Sequence, residues 1–140
     1  MQSRFFTVAG ASVAASCTGA SCAGKSPVSA GCSAGAQTLA SMVVLGTPAA
    51  KEFLVEHRYS PACLASWTTV TDIRQPDCLY SVSVWHEAID DSTGGRTRTA
   101  AVGSGSACSA STVMMSTVGK ANRACAHSTW EGLDHCTAWK

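Results

Sequence analysis

Cysteine and histidine are the residues of this 140-residue chain whose types and spacing could do chemistry. Eight cysteines, Cys17, Cys22, Cys32, Cys63, Cys78, Cys108, Cys125 and Cys136, form an even set spread along the whole sequence. Structural zinc sites gather their ligands as close pairs such as C-x-x-C, and no two cysteines here stand at that spacing. The set therefore reads as four disulfide bridges and no metal site. Bridges in that number persist in an oxidising compartment, which places the protein outside the cytoplasm. Cys125-x-His127 and His135-Cys136 carry ligand types that suit zinc, but the same thiols are wanted for bridges.

His57 lies on the apolar face of a strand pattern between Val55 and Tyr59, which favours a satisfied core histidine over a ligand or base. His86-Glu87 could furnish a general base beside a carboxylate, yet neighbours on a strand point to opposite faces. Asp90-Asp91-Ser92-Thr93-Gly94-Gly95 lacks the alternating acids of an EF-hand loop and reads as a hairpin turn. Gly103-Ser104-Gly105-Ser106-Ala107 brushes the G-x-S-x-G elbow without matching it. Trp67, close after Cys63, is expected to pack on a disulfide. Trp130 and Trp139, near the C-terminal end, are left as the candidate binding residues, able to stack on a sugar ring or anchor a protein partner. No cofactor motif is present.

These side chains must be positioned by a scaffold, and the scaffold reads as all-β. Residues 51–60 alternate Phe53, Val55, His57 and Tyr59 against Leu54, Glu56 and Arg58, and 80–85 and 96–102 follow the same two-residue period. Further strands are expected at 38–45, 66–71, 111–118 and 124–130, with turn clusters at Gly46-Thr47-Pro48 and Gln75-Pro76-Asp77. A helix over 33–44 competes with the first of these, because Ala, Gln, Leu and Met are plentiful there. About seven short strands at fairly even spacing predict a small disulfide-stapled β-sandwich or barrel. Hydrophobic residues reach 46% of the chain, but much of that share is Ala and Cys, and aromatics make up only 6% of all residues. At roughly 25 cal/mol per Å² such small side chains bury little energy, so the bridges must supplement the core.

Residues 1–16 read as a short or truncated signal peptide, with Arg4 ahead of an apolar, small-residue run from Phe5 to Ala15, and 17–140 as one secreted domain. Lipidation of Cys17 is disfavoured, since Ala14 stands where a lipobox carries Leu. No other run is long and apolar enough to span a bilayer as a helix. A net charge of +1 with scattered basic residues, only Arg96 and Arg98 standing close, argues against nucleic acid.

Gly24-Lys25-Ser26-Pro27, Gly31-Cys32, then Arg58-Tyr59-Ser60-Pro61-Ala62-Cys63 and Ala65-Ser66-Trp67 arrive in a fixed order. This framework, from Cys22 to Trp67, resembles the YjfA family, small secreted domains of Gram-positive bacteria without an established function. Ser26 stands where that family carries Asp. The resemblance implies a Cys32 to Cys63 bridge. Cys78 with Cys108 is the plausible second bridge, leaving Cys17 and Cys22 for Cys125 and Cys136, although eight cysteines allow 105 pairings. The function expected is a non-catalytic extracellular binding module for cell-wall glycan or a secreted protein. The alternatives are a small hydrolase built on His86 or His127 with a nearby acid, or on Asp90 and Asp91, and an enzyme inhibitor.

Overall fold

A computed structural model describes residues 14–47, 51–74 and 78–140, so the signal-peptide segment and the Gln75-Pro76-Asp77 turn fall wholly or largely outside the described residues. The fold is nearly all β, as expected, in two antiparallel sheets. The first sheet runs β1 (Gln37–Gly46), β2 (Lys51–Ser60), β3 (Ala65–Asp72) and β7 (Ser109–Ser111), with β8 (Met115–Ser116) also on β3. The second runs β10 (Leu133–Cys136), β9 (Lys120–Ser128), β4 (Ser83–Asp90) and β5 (Arg96–Arg98), with β6 (Val102–Gly103) also on β4.

Two-residue alternation decides what each sheet buries. Along β2, Phe53, Val55 and His57 are buried between more exposed neighbours, as the periodicity required. Val44, Phe53, Val55 and Val70 of the first sheet pack against Val84, Ala124 and Ala126 of the second and Val82 just ahead of β4, forming an apolar core at one end of the sandwich. A buried ion pair, Lys51 Nζ to Asp72 Oδ2 at 3.1 Å, lies in the same part of the fold, where β2 begins and β3 ends.

The opposite face of the first sheet is covered by the N-terminal segment. Cys17, Cys22, Ala30 and Cys32 close over Cys63, Ala65, Trp67 and Met114, and Trp67 is only 2% exposed. Trp67 therefore packs on disulfides, as its place beside Cys63 suggested. The four sulfurs of Cys17, Cys22, Cys32 and Cys63 lie within 4.8 Å of one another.

Several expectations are corrected. Residues 33–44 do not form a helix; β1 occupies most of that stretch, because Met42 and Val44 face the sandwich and β2 supplies hydrogen-bond partners from Gln37 to Gly46. Local helix propensity yields here to tertiary pairing. The strand expected at 80–85 starts at Ser83 and runs on to Asp90, so His86 and Glu87 lie inside it. The segment 96–102 is broken at Thr99, whose side chain turns in to accept from the His86 backbone N–H at 3.0 Å. Residues 111–118 hold only short β7 and β8 pairings. Cys32 pairs with Cys63 and Cys78 with Cys108, but Cys17 pairs with Cys22 and Cys125 with Cys136. The last bridge joins residues directly opposed across the β9–β10 hairpin, a local pairing that a sequence cannot display before its register is known.

Candidate functional site

Three groups of polar side chains compete for a functional role, and burial separates them. The first lies between the sheets. His86 on β4 is 0% exposed, with Nδ1 2.9 Å from Thr68 Oγ1 and Nε2 2.8 Å from Ser66 Oγ and 2.9 Å from Asn122 Oδ1. Asn122 Nδ2 donates to Ser116 O at 3.3 Å, which fixes Oδ1 as the atom facing the imidazole. Oδ1 can only accept, so His86 carries its proton on Nε2. Thr68 Oγ1 also stands 3.0 Å from Trp85 O and has one proton to give. Were it given to Trp85, His86 would need a second N–H and a positive charge. Burial first and His57 second oppose that charge; the Asn122 hydrogen bond favours it but is outweighed, and the pKa is held down at about 3. The ring is thus neutral, and the Thr68 hydroxyl lies within hydrogen-bond distance of both Nδ1 and the Trp85 carbonyl.

His57 on β2 faces His86 edge to face, with ring centroids 5.0 Å apart. Neither of its ring nitrogens has a hydrogen-bond partner, and the residue is 0% exposed. Burial first, and the charge of Lys140 second, bring its pKa down to about 4. It is a core histidine, but not a satisfied one. No substrate reaches either ring, so the hydrolase reading loses His86.

The second group lies on the outer face of β4, β9 and β10. His127 Nδ1 is 2.7 Å from Asp134 Oδ1, both side chains exposed. Register places Ser83 of β4 opposite His127 on its other side, so serine, imidazole and carboxylate stand in one row across three strands. His135 is bonded instead to Glu131, at 2.5 Å. The metal reading of Cys125, His127, His135 and Cys136 fails because the two sulfurs are joined as a disulfide and both imidazoles are on carboxylates. The Asp90 carboxylate is likewise spent: Ser92 Oγ and N and Thr93 N donate to Oδ1 and Lys120 to Oδ2, holding the carboxyl well below its usual range. Gly94, at φ +72°, closes this hairpin turn as expected.

The third group shares that outer face four residues further along the strands, past the Trp85–Cys125 pair. Arg96, Thr97 and Arg98 of β5, Glu87 of β4 and Arg123 of β9 line an open pocket of about 260 Å³. The guanidinium carbon of Arg98 lies 4.4 Å from the Trp85 ring centre, and those of Arg123 and Arg96 lie 4.1 and 5.5 Å from Trp139. Glu87 is the lone carboxylate lining it. Its oxygens take Arg123 Nε at 2.9 Å and the Trp85 indole N–H at 2.7 Å. Burial would raise its pKa, but these two donors and the arginine charges outweigh that and lower it. Trp139 is fixed because the tail runs beside β9: Lys140 N–H donates to Asn122 O at 3.0 Å, Asn122 N–H to Lys140 O at 2.9 Å, and Thr137 N–H to Ala124 O at 2.9 Å.

Of the two tryptophans singled out in the sequence, Trp139 thus belongs to this pocket, where it faces guanidinium groups on β5 and β9. Trp130 stands elsewhere, in the turn between β9 and β10, 54% exposed. The arginines were missed as a site. The signal was available at Arg96-Thr97-Arg98, since residues two apart on a strand share a face. Nothing in the sequence announced Arg123, Ser83 or Asp134, which join their groups through register alone.

A family model described as "Protein of unknown function (DUF2690)" matches residues 20–126. No curated protein and no solved structure matches the chain.

Proposed function

We propose that this chain, which belongs to the DUF2690 family of proteins of unknown function, is a secreted, non-catalytic module that binds cell-wall glycan or a wall-associated protein through the outer face of its second sheet. The observation that carries this reading is the pocket of Arg96, Arg98, Arg123 and Glu87, open to solvent and held rigid by Trp85 and Trp139. Rigid side chains lose little entropy on binding, which is what a recognition surface needs. Four disulfides suit an extracellular setting, and no helix of the described residues is long and apolar enough to cross a membrane. The YjfA resemblance belongs to the same proposal, its Cys22 to Trp67 framework falling within the matched residues.

Retention of the purified protein on isolated Gram-positive cell walls checks this. Trp139→Ala frees Arg96 and Arg123 from their stacking platform and is expected to weaken retention about tenfold. Trp130→Ala tests whether the exposed turn contributes separately. Unchanged retention in both variants would remove these residues from the binding face.

A second reading, a small hydrolase, is favoured by one observation: the in-register row of Ser83, His127 and Asp134, in which the His127 to Asp134 bond is made through Nδ1. That arrangement leaves Nε2 for a serine proton. A fluorophosphonate probe decides it. Covalent labelling at Ser83 that disappears in His127→Ala supports hydrolysis, and an unlabelled wild-type protein ends it.

A further inference from the structure

We infer that the pocket between β4, β5 and β9 is an oxyanion site, taking the phosphate or carboxylate groups of an acidic glycan or glycan-like polymer. This deepens the binding-module reading and rests on it. The charge count comes first. Three guanidinium groups meet one carboxylate in a chain whose net charge is only +1. Glu87 is already committed to Arg123 and Trp85, with the Arg123 Nη2 contact at 2.7 Å. Arg96 and Arg98 make no hydrogen bond or ion pair through their guanidinium groups among the described residues, and both are exposed. Two forks with no carboxylate hydrogen-bonded to them are therefore presented side by side, although Glu87 lies opposite Arg98 in register.

The Arg98 guanidinium sits over the Trp85 ring, its carbon 4.4 Å from the ring centre, so the indole backs the group on one side. Arg96 and Arg98, two apart on one strand, stand about 7 Å from each other along the backbone. A planar fork matches two oxygens of a carboxylate or phosphate at once, which a flexible ammonium does not. Neutral sugars have a poorer surface here: Trp85 is 4% exposed beneath Arg98, and Trp139 lies against Arg123 and Arg96. The aromatic faces that would stack on a pyranose are occupied by cations. At about 260 Å³ the pocket falls just under the range of roughly 300–1,000 Å³ that encloses a drug-sized ligand, so it suits one charged unit of a polymer at a time.

The test follows backbone and arginine side-chain N–H signals by NMR while adding inorganic phosphate, poly(glycerol phosphate), oligogalacturonate or a neutral chitooligosaccharide. Shifts confined to Arg96, Arg98, Arg123 and Glu87 with the anionic probes, and weakening as salt rises, are expected. Whichever polymer binds more tightly identifies the phosphate or carboxylate source. Arg96→Gln with Arg98→Gln should lower affinity at least about tenfold. Arg96→Lys with Arg98→Lys, which keeps the charge and loses the fork, should recover only part of it; full recovery would overturn oriented recognition. If the chitooligosaccharide binds and neither anionic polymer does, the oxyanion inference fails while the module reading stands. If none of the probes binds and cell walls retain nothing, both fail.

Discussion

Replacing Cys32 and Cys63 together by alanine lowers the unfolding free energy by about 4 kcal/mol. The bridge closes a separation of 31 residues, and the loop-entropy relation assigns about that value to a loop of this length. Domains of this size have stabilities of about 5–15 kcal/mol in total, so the variant sits near the edge of folding. The site amplifies the effect. Both sulfurs are buried against Trp67, Ala65 and Met114, together with the Cys17 to Cys22 bridge, and truncation leaves a gap in a cluster with few other side chains to fill it. Cys17 and Cys22, five residues apart, close a far shorter loop and contribute less, about 2 kcal/mol by the same relation. Urea denaturation of the two double variants measures both numbers. A Cys32/Cys63 variant no less stable than the Cys17/Cys22 variant would show that the bridges do not act through chain entropy.

That contrast explains what the sequence made legible and what it hid. Strand character was readable wherever one face of a strand is buried, as in β2, because the two-residue period of Phe53, Val55 and His57 has one physical cause. It failed at β1. There the buried face is narrow, only Val44 and Gly46 are fully buried, and Ala and Met give the helix scale as strong a signal as the strand pattern. Disulfide number followed from counting, but local pairing of Cys125 with Cys136 needed the β9–β10 register. The same limit applies to function. Glu87 and Arg123 are separated by 36 residues in sequence and stand opposite each other across β4 and β9. Residues brought together by register carry no mark of their partnership, whereas Arg96 and Arg98, two apart on one strand, do.

The interior histidines make stability depend on pH in a definite direction. His57 and His86 have pKa values of about 4 and about 3 in the folded protein, against about 6.5 in an unfolded chain. Between those limits the unfolded state binds protons that the folded state does not, so stability is full above pH 6.5 and is lost as pH falls. Each depressed imidazole costs up to about 1.4 kcal/mol per pH unit below 6.5, or about 2 kcal/mol apiece by pH 5. The two rings differ in what they give back. His86 is tied to Ser66, Thr68 and Asn122, so its removal takes one hydrogen-bond partner from each of three polar side chains. His57 has two buried nitrogens without partners, a burden of about 1–3 kcal/mol that an apolar side chain of similar volume removes. His57→Leu is therefore expected to stabilise the protein at pH 7 and to lose about half of its acid sensitivity between pH 6.5 and 5. Denaturant titrations at those pH values measure both quantities. A variant less stable at neutral pH and unchanged in slope would mean that His57 has a partner in solution, and that its place beside His86 is a paired arrangement instead of an uncompensated one.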